Sequence, residues 1–259
     1  TNSRVDGLEA RLNNFEAGSF SETTTASFSV DFAIGAVDGK DINTAQDTDG
    51  DEDLQAVYGF QIDLNTSFTG EDSLDISIDA GNAATTTALA EFDLNGANTN
   101  GVDLLSVDGV SYTFPLGELT AFVGDNSDGS SLFTTACVYG GPSNTLDDCG
   151  TVMAGITGGG LAIGASYDFD NGFTTAAGAQ FTESGIATDE NADSYALNGA
   201  YTGDNYGVSL TYANIEVGDV NDTYTALNGY YSFANGLNIS AGYEAVSYTH
   251  LRAHETPVN

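Results

Sequence analysis

The chain has 259 residues, and its 38 Asp and Glu stand against 4 Lys and Arg, a formal net charge of −34 carried by only 16% of the residues. Nucleic acid is excluded as a partner, because phosphate binding by counterion release needs several basic side chains, and Arg4, Arg11, Lys40 and Arg252 are all there are. Polybasic contacts with a membrane surface are excluded by the same shortage, and the 32 Gly, 13 Tyr and 14 Phe describe strands joined by turns rather than an aromatic-poor disordered chain.

In chain order, Val5, Leu8, Leu12 and Phe15 come first, at spacings of three, four and three, with Glu9, Arg11 and Glu16 beside them. This is either an a/d seam, the last turns of a coiled coil entering from a missing N-terminal region, or a short amphipathic helix. Strict alternation follows. Phe28, Val30, Phe32 and Ile34 alternate with Ser27, Ser29, Asp31 and Ala33. Leu54, Ala56, Tyr58, Phe60, Ile62, Leu64 and Phe68 then oppose Gln55, Gln61, Asp63, Asn65 and Ser67. Period 2 over such lengths predicts half-covered β-strands. It recurs at Leu74, Ile76 and Ile78 against Asp75, Ser77 and Asp79, at Leu161 to Phe169, at Tyr206 to Tyr212 and at Leu237 to Tyr243.

The predicted connections alternate in length: long (38–53, 82–101, 125–150, 183–193), short (69–72, 115–118, 170–172, 202–205, 234–236), with a medium one at 215–222. In an antiparallel meander all short turns then share one end, the asymmetry of bacterial outer-membrane barrels. No apolar run is long enough for a transmembrane helix, a criterion that does not bear on barrels. About eleven strands fit, so an all-β, antiparallel up-and-down transmembrane β-barrel is expected, incomplete because closed single-chain barrels have even strand numbers.

Aromatic pairs precede three short turns: Tyr112 and Phe114, Tyr167 and Phe169, Tyr231 and Phe233. Such a ring is what a membrane interface selects, although the core of a soluble β-sandwich uses the same residues. At the C-terminus, both histidines, Arg252 and Pro257 fall beyond Tyr248, and residues 247–256 resemble translated sequencing-adapter sequence. The expected organisation is therefore 1–18 as coiled-coil or periplasmic linker remnant, 19–245 as partial barrel and 246–259 as non-native tail.

With Ser3 to Arg11 (SRVDGLEAR), Tyr58 to Gly70 (YGFQIDLNTSFTG) and Val110 to Gly124 (VSYTFPLGELTAFVG), the chain resembles the porins of cyanobacterial outer membranes, related to the carbohydrate-selective porins. In that family an S-layer-homology domain and a short coiled coil precede the barrel. The likeness covers about residues 3–245; the S-layer-homology domain and the last strands are missing. It implies an outer-membrane location, a homotrimer, contact with peptidoglycan or cell wall through the missing N-terminal domain, outer-membrane lipid around the wall, and passage of ions and small hydrophilic solutes; the preference for cations is expected from the carboxylates themselves, which have almost no cationic partner. It also implies that the third loop, 125–150, narrows the lumen, which would bring Asp125, Asp128, Asp147 and Asp148 to the constriction. Asp31, Asp63, Asp75, Asp79 and Asp168, opposite the apolar stripe, are expected to face the lumen.

Cys137 and Cys149, an isolated pair in an exported chain, are expected to form a disulfide. The acids of loop 38–53 (Asp47, Asp49, Asp51, Glu52, Asp53) do not match an EF-hand, since Gly50 is out of step. Gly158 to Gly160 lacks the following Lys of a phosphate loop and reads as a strand kink or close packing against the third loop. No catalytic residue, metal or cofactor is expected. The competing reading is a secreted, acidic, calcium-stabilised adhesive β-protein, which should show nonapeptide-type repeats; none is found.

Overall fold

A computed structural model describes residues 23–36, 54–83, 89, 92, 94, 104–137, 153–157, 160–183, 186, 193–217 and 220–250, with backbone only at 248–250. Among these residues there is no α-helix. The strands are β1 (Thr24–Gly35), β2 (Gln55–Thr66), β3 (Ser73–Gly81), β4 (Ser106–Leu116), β5 (Leu119–Asp125), β6 (Leu161–Asp168), β7 (Phe173–Phe181), β8 (Asp193–Thr202), β9 (Tyr206–Val217), β10 (Val220–Ser232) and β11 (Asn238–His250). Each neighbours the strand before it in sequence, so the fold is all-β with eleven antiparallel up-and-down strands. The coiled-coil segment 1–18 and the acids of loop 38–53 lie outside the described residues.

The chain divides into two compact units, the first holding β1–β3 and β4 as far as Tyr112, the second the rest of β4 and β5–β11. In the first unit the register matches like with like: Phe32 opposes Tyr58, Val30 opposes Phe60, and Phe28 opposes Ile62, which in turn opposes Ile78. The other face carries Asp31, Gln61, Asp63, Asp75 and Asp79, and onto its far end pack Leu89 and Leu94, against Val57, Ala83 and Ala33. The apolar face is left uncovered, with Phe32 78% and Ile34 73% exposed.

Asp72 locks the turn between β2 and β3. Its buried carboxylate accepts hydrogen bonds from the Tyr112 hydroxyl (2.6 Å), the Thr69 amide (2.7 Å), the Ser67 and Thr69 hydroxyls (both 2.8 Å) and the Phe68 amide (3.0 Å). The Tyr112 hydroxyl, followed by the Thr69 donors, holds the carboxyl well below the ordinary carboxylate range. A depressed folded pKa contributes stability above the unfolded value, about 3.9, and loses it as pH falls from there through the folded value. Asp72→Asn should therefore unfold more readily than wild type in urea at neutral pH. The gap should close on acidification below about pH 4; a gap independent of pH would contradict the assignment.

In the second unit the contrast between an uncovered apolar face and a buried polar one is sharper. On β8, β9 and β10 the large apolar side chains are uncovered, Leu197 at 62% and Leu227 at 50%. The opposite face, made of Ala196, Asn198, Ser209, Thr211, Ala213, Ala226 and Asn228, is buried. Two sequence expectations differ here. The medium connection 215–222 shrinks to residues 218 and 219, because alternation persists through Ile215 and Val217, which keep pairing with Asp222 and Val220. β11 continues in register with β10 through His250, five residues into the segment set aside as tail; backbone pairing needs no particular side chain there.

Candidate functional site

What buries the polar face of the second unit is the third long loop. Residues 126–137, together with 153–156 beyond the expected end of that loop, lie on the polar face of β7–β11, and the sheet presents small residues that leave room for them. In one row across the strands, Gly178 opposes Ala196, Ala196 opposes Ala213, and Ala213 opposes Tyr224. Phe133, Ala154 and Ile156 of the loop pack on Ala196, Ala213, Tyr224 and Ala226. Gly178 marks the closest approach: a Cβ there would run into the Gly129 carbonyl oxygen. At Gly129 a Cβ would meet Ile156 Cδ1 at 2.7 Å and the Ala179 carbonyl oxygen at 2.9 Å. These glycines are required by proximity rather than by backbone conformation.

A chain laid on a sheet face must satisfy its own amides and carbonyls, and side chains of β7, β8, β9 and β11 do this. Gln180 accepts from the Gly129 amide (2.9 Å) and donates to the Ser127 carbonyl (3.0 Å). Asn198, only 3% exposed, treats Thr134 as a strand would: Oδ1 accepts from its amide (3.0 Å), while Nδ2 donates to its carbonyl (3.2 Å) and to Thr211 Oγ1 (2.9 Å). Ser209 Oγ accepts from the Ala136 amide (2.9 Å), and Glu244 Oε1 accepts from the Ala154 amide (2.7 Å). Thr174 donates to Thr134 Oγ1 (3.1 Å). Asn198→Ala would orphan both backbone groups of Thr134, at about 1–3 kcal/mol each. Hydrogen exchange at the Thr134 amide should then speed up by one or more orders of magnitude, and unchanged protection would show that the clamp does not hold the loop.

The sequence-predicted acids divide between the units. Asp31, Asp63, Asp75 and Asp79 share the polar face of the first. Asp63 accepts from Ser77 (2.6 Å), Gln61 (2.8 Å) and Ser27 (3.3 Å), and Asp75 from Asn65 and Ser73. Asp31 and Asp79 border a cavity of about 250 Å³ with Ser29, Gln61, Phe92 and Leu94. In the second unit Asp125 ends β5 and Asp128 opens the loop, both exposed. Asp168 accepts from the Asp170 amide (2.9 Å), closing the turn into β7. Asp147, Asp148 and Cys149 lie outside the described residues; Cys137 ends the first described stretch of the loop, and no described cysteine is free.

Sequence reasoning missed Glu183, just past β7, whose carboxyl is raised above its ordinary value by hydrogen bonding to the Asp125 carboxylate and by its charge. It also missed Asn198 and Gln180, ordinary polar positions on their strands that no local pattern singles out.

The aromatics gather at the short-turn end of the second unit. Tyr167 and Phe169 meet edge to face at 4.7 Å, as do Tyr231 and Phe233, while Phe173 and Tyr201 meet at 4.7 Å and Tyr201 and Tyr206 at 5.6 Å. Phe114, before the turn into β5, is half-buried. In the first unit Tyr112 gives its hydroxyl to Asp72 and its ring to Phe68 at 6.3 Å.

No protein-family model and no curated protein matches the chain. Solved structures similar to it include a doubly substituted porin of Rh. blastica, 11% identical over 87% of this chain and 97% of that one, with a TM-score of 0.36. A triply substituted porin of Rh. blastica is 10% identical over 87% and 96%, with a TM-score of 0.28. An engineered protein described for asymmetric conductivity is 13% identical over 86% and 98%, with a TM-score of 0.30. At these TM-scores the likeness is loose and carries no functional weight.

Proposed function

We propose that the chain is part of the wall of a bacterial outer-membrane porin, a passive channel for ions and small hydrophilic solutes that prefers cations. The observation that carries this reading is the inversion of burial: large apolar side chains lie uncovered while Asn198, Ser209 and Thr211 lie buried. Water penalises the first and rewards exposure of the second; a bilayer outside and a seated loop inside reverse both terms. Strands of 9–13 residues in β7–β11 match the roughly 9–11 that a tilted membrane strand needs.

The seated loop is the constriction in this reading, closed by a Cys137–Cys149 disulfide, with Asp125, Asp128, Asp147 and Asp148 at the eyelet. The acids of β1–β3 and Asp168 line water and attract cations in a chain with 38 acidic and only 4 basic residues. Location in the outer membrane, a homotrimer, and wall contact through an N-terminal domain come from the resemblance to cyanobacterial porins. No catalysis or cofactor enters the proposal.

The test is to refold the chain with its native flanks into detergent, then measure heat-modifiable gel mobility and planar-bilayer conductance. A protein that stays monodisperse without detergent overturns the membrane reading. Replacing Asp125, Asp128, Asp147 and Asp148 together with Asn should reduce the cation preference seen in reversal potentials, and unchanged potentials would remove those residues from the eyelet.

A further inference from the structure

On the apolar face of the second unit lies an open groove of about 640 Å³, within the roughly 300–1,000 Å³ typical of ligand pockets. Gly199 makes it. Its register partners Thr175 and Leu210 carry side chains, whereas a Cβ at Gly199 would have nothing within 4 Å. Phe173, Tyr201, Val208 and Leu210 form the walls, and the lining surface is overwhelmingly apolar. Phe169 and Asn171 stand at the short-turn end, where the aromatic pairs gather, so the groove opens at the level where lipid headgroups meet acyl chains.

The turns around that mouth are acidic: Asp168 and Asp170 precede Asn171, and Asp204 lies in the turn from β8 to β9, all exposed. Among the described residues no Lys or Arg offsets them. We propose that the groove seats one acyl chain of a lipid whose headgroup is uncharged and hydroxyl-bearing. Carboxylates and the Asn171 carbonyl oxygen accept hydrogen bonds from hydroxyls. A headgroup phosphate finds no cationic partner among the described residues and is repelled by three carboxylates, which disfavours phosphatidylglycerol most; in phosphatidylethanolamine that repulsion offsets the attraction of the ammonium. This site rests on the membrane reading above.

The experiment is native mass spectrometry of the detergent-refolded chain, with glycosyl diacylglycerol, phosphatidylethanolamine and phosphatidylglycerol of matched acyl chains supplied in turn. Wild type should retain the glycolipid at least tenfold more than phosphatidylglycerol, and Gly199→Phe should lose that retention. The double variant Asp170→Asn with Asp204→Asn leaves the strands untouched, and Asn tolerates the positive φ of Asp170; it should raise phosphatidylglycerol retention toward that of the glycolipid. Equal retention of all three lipids by wild type, or an unchanged double variant, overturns the groove while heat-modifiable mobility still supports insertion. Preferred retention of phosphatidylethanolamine replaces the uncharged headgroup with an ammonium and overturns the proposal as stated. If Gly199→Phe separates an oligomer without displacing lipid, the groove is a contact between copies. A chain soluble without detergent overturns the membrane reading and the groove together.

Discussion

Replacing Gly178 by alanine is expected to release the third loop from the sheet and raise single-channel conductance. A single added carbon suffices, because the Cβ collides with the Gly129 carbonyl oxygen and neither backbone has a flexible end to yield. Overpacking of this kind costs about 1–3 kcal/mol, comparable with the hydrogen bonds that seat the loop, each worth about 0.5–1.5 kcal/mol net. Displacing the strand is harder than displacing the loop, since β7 is paired on both sides while the loop is held by side chains. The amides of Gly129, Thr134 and Ala136 should lose exchange protection together. Gly199→Ala is the control, on the opposite face with open space around it, and should leave conductance and protection unchanged. Wild-type conductance and protection in Gly178→Ala would mean that the loop is not seated as described.

The second large effect separates bilayer from water. Leu227 and Leu237 are equally exposed, at 50% and 53%, but Leu227 lies in the middle of β10, opposite Leu210 and Tyr243, whereas Leu237 borders the turn. In water an arginine at either surface position would change stability by no more than about 0.5 kcal/mol. In a bilayer the penalty depends on depth, about 2–4 kcal/mol at the midplane and about 0–1 near the interface. Leu227→Arg should therefore refold into vesicles with a clearly lower urea midpoint than wild type, and Leu237→Arg should nearly match wild type. Two equally mild variants would argue for a water-facing sheet.

Much of the fold was legible because a strand's side-chain period is two. Phe28 to Ile34 and Leu54 to Leu64 announce both the strands and the faces, and the pairing of Phe28 with Ile62 follows once apolar faces must coincide. The Gly and Asn of the short turns mark their positions for the same local reason: Gly172 and Gly236 adopt positive φ. The connection between β9 and β10 was misjudged, since polar residues such as Asn214 and Glu216 also alternate on a strand and composition alone suggested a connection there. The acids were visible but their neighbours were not. Glu183 meets Asp125 only because β6 sets the ends of β5 and β7 in register.

The seated loop was implied by resemblance, but its attachment was not readable from the residues. Thr134 is bound by Asn198 at a separation of 64 residues, and Ala136 by Ser209 at 73. Nothing in a local window marks Asn198, Gln180 or Gly178 as contact residues, because each is an ordinary polar or small position on a strand until another segment lies against it. The sequence alone determined that this chain is a sheet with one apolar and one polar face, since alternation and turn chemistry act between near neighbours. Only the tertiary structure decided which face is covered: burial of Asn198, Ser209 and Thr211 depends on where a distant loop finds partners for its backbone, and that is a property of the folded whole.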